Sequence, residues 1–379
     1  MDPADFEHSL GTIDDYDGLP CYRPPSLPPD LDYSDDLLRV YGDAQYALGR
    51  LTTLHHDLDN PNLLIAPFVH REAAMSSQVE GTNVTISDIY AHEVGAAPER
   101  SAAESTDVRE AYNYVDAVKQ GFARLDAGGE LDLELVCDLH EQLLTGTRGE
   151  EEHPGELRDV PVFIGAPDDE PGEATFVPAS PDLVPVLLEQ LFAYARRGEY
   201  PPLIDVALVH YQFEAIHPFR DGNGRIGRLL AMLQLYDAGL LSGPYLYLSA
   251  YFRQFGRSYR DGLLAVSTDG AWDDWITFVL DAIAEQAIDG YDCGVRLKEL
   301  RETYRGRYPS SPTTRELVDY LFEQPYLTGP RAVEATGRSK PAVYDAIDAL
   351  EADGVVVETT GNQRNKVYEA PEILAVLGS

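Results

Sequence analysis

Lysine is scarce in this chain. Of 29 basic residues only four are Lys (Lys119, Lys298, Lys340, Lys366), and the other 25 are Arg. Cysteine is scarce too: Cys21, Cys137 and Cys293 lie far apart, without metal-ligand spacing, which excludes a disulfide framework and a Cys-based zinc site. They read as reduced and structural. No stretch comes near the roughly 18 uninterrupted apolar residues of a membrane span. The first residues, Met1-Asp2-Pro3-Ala4-Asp5, are acidic and unlike a secretory leader. These absences point to a cytoplasmic protein, away from the membrane. What is abundant is acid. Sixty-five Asp and Glu give a formal net charge of −36, dispersed along the chain. A nucleic-acid mimic or a cation-binding tail would concentrate that charge. Self-repulsion on this scale destabilises a compact state in dilute buffer. Molar salt shortens the screening length to about 3 Å. The composition therefore points to a salt-rich cytoplasm, as in halophilic archaea. A hydrophobic content of 44% excludes general disorder, and 379 residues suffice for two or three domains.

One segment concentrates the chemistry: His217-Pro218-Phe219-Arg220-Asp221-Gly222-Asn223-Gly224-Arg225-Ile226-Gly227-Arg228. An apolar helical pattern precedes it from Ile204 to Ile216. A second follows through Leu229-Leu230-Ala231-Met232-Leu233 and stops at Gly239. The segment is thus a loop opening into a helix. Gly222 and Gly224 permit positive φ, so neighbouring N–H groups can converge as an anion nest. The helix start adds unpaired N–H groups and the positive end of its dipole. Arg225 and Arg228, three apart, share a face, and their planar forks suit phosphate oxygens. Asp221 is the hard oxygen donor that Mg²⁺ takes beside substrate phosphates. His217 titrates near neutrality and is the candidate base.

These twelve residues resemble the signature of the Fic (Fic/Doc) family, His-x-Phe-x-Asp/Glu-Gly-Asn-Gly-Arg-x-x-Arg, at every fixed position. The resemblance implies a mainly helical protein that transfers AMP from ATP to a Tyr, Thr or Ser hydroxyl of a target protein. His217 is then the base and Phe219 the buried anchor of the loop. Asp221 holds Mg²⁺ on the α- and β-phosphates. Gly222, Asn223 and Gly224 cradle those phosphates with Arg225 assisting, and Arg228 grips the γ-phosphate. Phosphorylating members carry Lys where this chain has Gly224, which favours nucleotidyl transfer here.

A second motif, Ser76-Ser77-Gln78-Val79-Glu80-Gly81, ends a helical stretch that begins near Pro67. Ser76 and Glu80 share a face, and Gly81 is placed as the residue just past the helix. It resembles the inhibitory Ser/Thr-x-x-x-Glu-Gly/Asn helix of self-inhibited Fic proteins. There the glutamate pairs with the second signature arginine and displaces the γ-phosphate; here the pair is Glu80 and Arg228. Val162-Phe163-Ile164 and Ala174-Thr175-Phe176-Val177 read as two short strands around a turn-rich segment. They resemble the Fic flap, which holds a target by strand addition. His153-Pro154-Gly155-Glu156-Leu157-Arg158 also resembles the family and is assigned no chemistry.

The expected organisation is a Pro- and Asp-rich irregular arm over 1–33 within an N-terminal region 1–100. A catalytic core 101–307 and a C-terminal domain 308–379 follow. Helical patterns cover Asp36–His56, Pro67–Glu80, Ser105–Leu125, Asp132–Thr145, Pro181–Arg197, Ser258–Leu264 and Trp272–Tyr304. Tyr308–Pro312 reads as a linker. Thr313–Phe322, Gly329–Thr336 and Lys340–Ala352 then read as helices. Val355–Glu358 and Lys366–Tyr368 read as strands. That order resembles a winged helix-turn-helix. Residues 309–379 carry 11 acidic and 6 basic residues, which weighs against DNA binding in dilute salt. DNA contact, docking of a protein and a homodimer all stay open. Two alternatives to AMP transfer stay open as well: removal of AMP with Glu80 positioning water, and a DNA-binding regulator whose core senses nucleotide.

Overall fold

The computed structural model describes residues 1–6, 8–56, 62–96, 101–165, 174–362 and 364–378. The fold is mainly helical, with two small antiparallel sheets. Residues 1–33 are more regular than the sequence suggested. Pro3–Phe6 forms a 3₁₀ turn, and β1 (Thr12–Tyr16) pairs with β2 (Leu19–Arg23) in a hairpin. Asp17 and Gly18 take φ of 54° and 84° at its turn. Both central residues are left-handed, which is what an Asp-Gly pair supplies to a two-residue hairpin. Tyr22 packs at the core and its N–H donates to Val177 O at 2.8 Å. The arm therefore braces the segment read as the flap.

Among the described residues, eleven α-helices follow before the C-terminal part: α1 (Asp35–His56), α2 (Asn62–Val79), α3 (Ile86–Glu93), α4 (Ala102–Asp126), α5 (Leu133–Leu144), α6 (Val184–Arg197), α7 (Pro202–Ile216), α8 (Asn223–Asp237), α9 (Ser249–Gln254), α10 (Gly256–Asp269) and α11 (Trp272–Arg307). α3 was not expected. It is short, and reciprocal capping between Thr85 and Asp88 starts it. α2 begins before Pro67 and carries that proline inside its first turns. Ser101 and Glu104 cap α4 in the same reciprocal way, and Asp132 accepts from Leu135 N to start α5. α7 is buried from Leu203 to Ile216, so it has no solvent face and no amphipathic stripe. It runs through the centre, between α6, α8, α10 and α11. α11, 36 residues long, reaches about 54 Å and packs along α1.

The flap differs from expectation. Val162–Ile164 and Ala174–Val177 form no two-stranded ladder; one antiparallel bridge joins Ile164 to Phe176, at 2.9 Å in both directions. Phe176, Ala174 and Val177 point inward, while Phe163 and Thr175 are exposed. The inward residues are taken up by Tyr22, Phe6 and Cys21. The intervening turn lies outside the described residues.

Past a tight turn at 308–311 come α12 (Pro312–Glu323), β3 (Tyr326–Thr328), α13 (Gly329–Thr336), α14 (Lys340–Ala352), β4 (Val357–Glu358), β5 (Val367–Glu369) and α15 (Pro371–Leu377). The sheet order is β3-β5-β4, all antiparallel. β3 and α15 were not foreseen. α12 packs on α2 and α11, and Leu317, Val318, Leu321 and Phe322 are continuous with the main core. Among the described residues, no helix is long and apolar enough to cross a membrane.

Candidate active site

The site forms where α7 ends and α8 begins. α7 stops at His217, whose backbone is left-handed (φ 50°) and whose N–H closes on Phe213 O at 2.9 Å. The chain then turns through Pro218–Asp221, and Gly222 (φ 78°) caps α8. A side chain at Gly222 would also crowd His140 and Leu143. Asn223 locks the turn from within. Its Oδ1 accepts from Phe219 N at 2.8 Å and its Nδ2 donates to Phe219 O at 2.9 Å. Phe219 is fully buried and stacks on the His140 ring at 3.8 Å. The first helical bond of α8 is Ile226 N to Gly222 O. The N–H groups of Asn223, Gly224 and Arg225 thus lack intrahelical acceptors and form an anion-binding end.

Two residues that sequence reasoning left without a role hold this turn. His140, on α5, accepts from Gly155 N at Nδ1 (2.9 Å) and meets Asp221 O at Nε2 (2.9 Å). Since Nδ1 accepts, Nε2 must carry the proton that it donates to Asp221 O. Burial pushes His140 down to about 4 and keeps it neutral. Arg158, 3% exposed, donates to His217 O (2.7 Å), Ile216 O (3.1 Å), Val160 O (3.2 Å) and Ala179 O. Its guanidinium is satisfied by carbonyls alone, and burial lowers it to about 10. The His153–Arg158 segment is therefore the clasp of the signature turn.

His217 is about one-fifth exposed. Its Nδ1 lies 3.2 Å from Glu214 O. A carbonyl can only accept, so Nδ1 carries the proton and Nε2 presents a lone pair. Burial, with Arg158 nearby, lowers the ring to about 4. Asp221 is 41% exposed; its Oδ1 accepts from Gly222 N at 2.7 Å and lies 3.5 Å from Arg225. Arg225 is ion-paired to Glu110 of α4, itself buried, and burial lowers Arg225 to about 10.

Arg228 is the most enclosed charge, its side chain 1% exposed. It donates to Glu80 Oε1 at 2.7 Å, to Ser76 Oγ at 2.9 and 3.1 Å, and to Ser76 O at 3.1 Å. Burial works against the Arg228 charge, and the Glu80 carboxylate more than offsets it, so the arginine is held above its ordinary value. Burial likewise works against Glu80, yet Arg228 and Arg225 hold its carboxyl below the usual range. Glu80 sits one residue beyond α2, where Gly81 turns the chain at φ 90°. Ser77 Oγ to Thr82 Oγ1 (2.7 Å) and Gln78 Nε2 to Val84 O (2.5 Å) fix that turn. A Cβ at Gly224 would stand 2.6 Å from Glu80 Oε1, so the bare glycine leaves the carboxylate its place. The structure thus brings Ser76, Glu80, His217, Asp221, Gly222, Asn223, Gly224, Arg225 and Arg228 to one site.

Known proteins share parts of this sequence. The Fic/DOC family N-terminal model covers residues 38–123, and the Fic/DOC family model covers 130–235; together they span just over half of the chain. The chain belongs to the Fic/DOC family. This Fic/DOC chain is similar over 167 residues, at 30% identity, to a protein adenylyltransferase Fic of Drosophila grimshawi, covering 43% of the chain and 30% of that protein. It is 39% identical over 70 residues to a probable protein adenylyltransferase of Aquifex aeolicus, covering 18% of the chain and 22% of that protein. The chain therefore spans less than a third of these relatives. Among solved structures, a Fic family protein from Desulfovibrio desulfuricans G20 superposes with a TM-score of 0.59 at 19% identity, over 90% of this chain and 98% of that one. A Fic domain containing signaling protein from Bacteroides thetaiotaomicron VPI-5482 gives a TM-score of 0.54 at 20% identity, over 67% and 97%. At these identities the structures show a shared Fic fold.

Proposed function

We propose that this chain is a protein adenylyltransferase, transferring AMP from ATP to a Tyr, Thr or Ser hydroxyl of another protein, and that Glu80 holds it inactive. The observation that carries the reading is the pairing of a His217 Nε2 lone pair with the open N-terminus of α8, on one loop. In the reaction the target oxygen bonds to the α-phosphorus of ATP and the bond to pyrophosphate breaks. The hydroxyl proton passes to Nε2 of His217. The free N–H groups of Asn223, Gly224 and Arg225, in the cradle that Gly222 opens, stabilise the phosphate charge, with the Arg225 guanidinium assisting. Arg228 holds the γ-phosphate once Glu80 gives way. Asp221 presents one partly exposed carboxylate beside these phosphate donors, the protein share that Mg²⁺ usually takes with nucleotide. Mg²⁺ held by Asp221 would neutralise phosphate charge. The exposed edge at Val162, Phe163 and Ile164, bridged to Phe176 beside Thr175, is the surface for an extended target segment.

Division into regions 1–100, 101–307 and 308–379 remains a proposal, as do the winged-helix reading of 312–377 and a cytoplasm rich in salt. DNA contact through that region is disfavoured by the engagement of two of its arginines. Arg331 donates to Glu93 O, and Arg338 pairs with Glu316 at 2.8 and 2.5 Å.

Intact-mass spectrometry after incubation with ATP and Mg²⁺ in molar KCl tests the activity, using Glu80→Gly with a panel of hydroxyl-bearing target proteins. Gain of one AMP per modified hydroxyl supports it. If wild-type protein instead strips AMP from modified protein and Glu80→Gly cannot, Glu80 orients water and the enzyme works in removal.

A further inference from the structure

The buried carboxyl of Glu214 is unexplained by the functions assigned so far. Glu214 lies on α7, one turn before His217, and its Oε1 has no hydrogen-bond partner. An orphan carboxyl oxygen in the interior is costly, and its persistence calls for a reason. Its other oxygen, Oε2, is 3.9 Å from His217 Nδ1. Room for the group is built into the neighbouring helix. A Cβ at Gly227 would stand 2.3 Å from Glu214 Oε1. Glycine inside a helix costs about 1 kcal/mol relative to alanine, yet α8 carries it opposite this carboxyl.

We propose that Glu214 is a positioning residue for His217: the backbone carbonyl of Glu214 fixes the Nδ1 proton, and its carboxylate, 3.9 Å from Nδ1, holds the positive charge that the ring takes up. This rests on the adenylyl-transfer reading. When Nε2 receives the target hydroxyl's proton, both ring nitrogens carry hydrogen and the ring becomes a cation. Arg158 opposes that cation with like charge. In the state ready for transfer Glu80 has left Arg228, which removes an anion that favours the ring cation. Glu214 is then the carboxylate that remains within reach of Nδ1.

The groups facing Glu214 fix when it can act. Arg228 comes from α8, Glu80 from the end of α2, Tyr259 from α10, and His217 from its own helix. Burial and Glu80 push Glu214 up, and Arg228 pulls it down, to about 7. His217 stays neutral far below that. Across neutrality the carboxyl titrates while the ring does not. Transfer should therefore rise with pH as Glu214 ionises.

The test uses the full chain carrying Glu80→Gly, with and without Glu214→Gln, a near-isosteric change. Transfer of labelled AMP is followed against pH, and the histidine ring nitrogens are followed by ¹⁵N NMR. Glu214→Gln should lower kcat about tenfold or more with little change in KM for ATP, and should abolish the rise with pH. In the Glu80→Gly parent, where Glu80 no longer raises Glu214, the His217 ring shifts should report a neighbour ionising below the value of about 7 while Nδ1 keeps its proton; in Glu214→Gln that inflection should vanish. A purely structural role would scale the rate equally at every pH. Superimposable pH profiles or ring titrations for the two proteins overturn the proposal. Absence of AMP transfer at every pH, with the ring still sensing Glu214, refutes adenylyl transfer and leaves the link between Glu214 and His217 standing.

Discussion

Glu80→Gly removes one carboxylate, and the structure sets what that does. Arg228 is fully enclosed and loses the Glu80 carboxylate it donates to, keeping Ser76 Oγ and Ser76 O. Removing one member of a fully buried pair costs about 3–5 kcal/mol. Glu80 is 35% exposed, and Ser76 still satisfies part of the guanidinium. Solvent screening and that second partner cut the cost to about 1–2 kcal/mol. The variant should melt a few degrees lower, and saturating ATP should restore the loss by occupying Arg228. Transfer should rise at least about tenfold, equal to about 1.4 kcal/mol of barrier. The γ-phosphate can then sit on Arg228 and bring the α-phosphorus into line with the attacking oxygen. Glu80→Gly with Arg228→Ala should lose the gain. The pH dependence follows from the lowered carboxyl of Glu80. A depressed acid contributes its stabilisation above its unfolded value and loses it as pH falls through the folded one. Glu80 thus stays ionised between about pH 6 and 9, and the variant should outpace the wild type throughout that range. Transfer that stays unchanged or falls in the single variant, with a competent target present, refutes the inhibition. A ratio collapsing toward one near neutrality refutes the charge assignment.

His217→Ala should abolish transfer, a loss of about 10²-fold or more, with ATP affinity by calorimetry nearly unchanged. Equal losses of both would make His217 structural. Asp221→Ala should remove the response of transfer to Mg²⁺ along with the activity; a variant still activated by Mg²⁺ would move the metal elsewhere. Arg158→Met leaves the carbonyls of Ile216, His217 and Ala179 without their donor. It should cost about 2–4 kcal/mol in denaturant titrations, and an unchanged midpoint would show that the clasp is dispensable. Deleting 309–379 uncovers the faces of α2 and α11 against which α12 packs. The truncated chain should melt lower or aggregate in high salt; full solubility with an unchanged melting point would make the C-terminal part an independent appendage.

The signature turn was legible because its chemistry is local. Gly222, Asn223, Gly224, Arg225 and Arg228 sit on consecutive turns of one helix start, so twelve adjacent residues specify the geometry. Ser76 and Glu80 were legible by family resemblance; their spacing alone is common. What remained hidden comes from distant chain. Glu110 reaches Arg225 from α4, and His140 reaches Asp221 from α5. Nothing in a lone buried His or Glu on a helix tells which loop it will meet. Glu214 did carry a signal: it is a charged residue in a helix that has no solvent face. α3 and the arm hairpin had signals too, in Thr85-x-x-Asp88 and Asp17-Gly18. Both elements are short, so periodicity gave them little weight. The two flap strands were over-read, since one bridge joins Ile164 to Phe176 and the inward residues of Ala174–Val177 are spent on packing against Tyr22 and Cys21.

If Glu80 inhibits as proposed, the surroundings of α2 decide how it would be released. Arg71 is tied to Asp289 and to Tyr247 OH, each at 2.9 Å. Glu72 accepts from Ser249 N, Ser249 Oγ and Tyr114 OH, and burial pushes it up to about 7. His70 meets Glu93 at 3.1 Å, and Gln324 donates to the same carboxylate at 2.9 Å. Arg331 closes on Glu93 O, so the C-terminal part helps to hold α3 against α2. Moving α2 as a body would break these contacts with α3, α4, α9 and α11 together. Swinging the Glu80 side chain breaks a single ion pair, at a residue already past the helix end and partly in water. Release by a competing phosphate at Arg228 is the cheaper route by several hydrogen bonds. Ser76 stays in place throughout, so it can keep Arg228 aimed at the nucleotide after Glu80 has left.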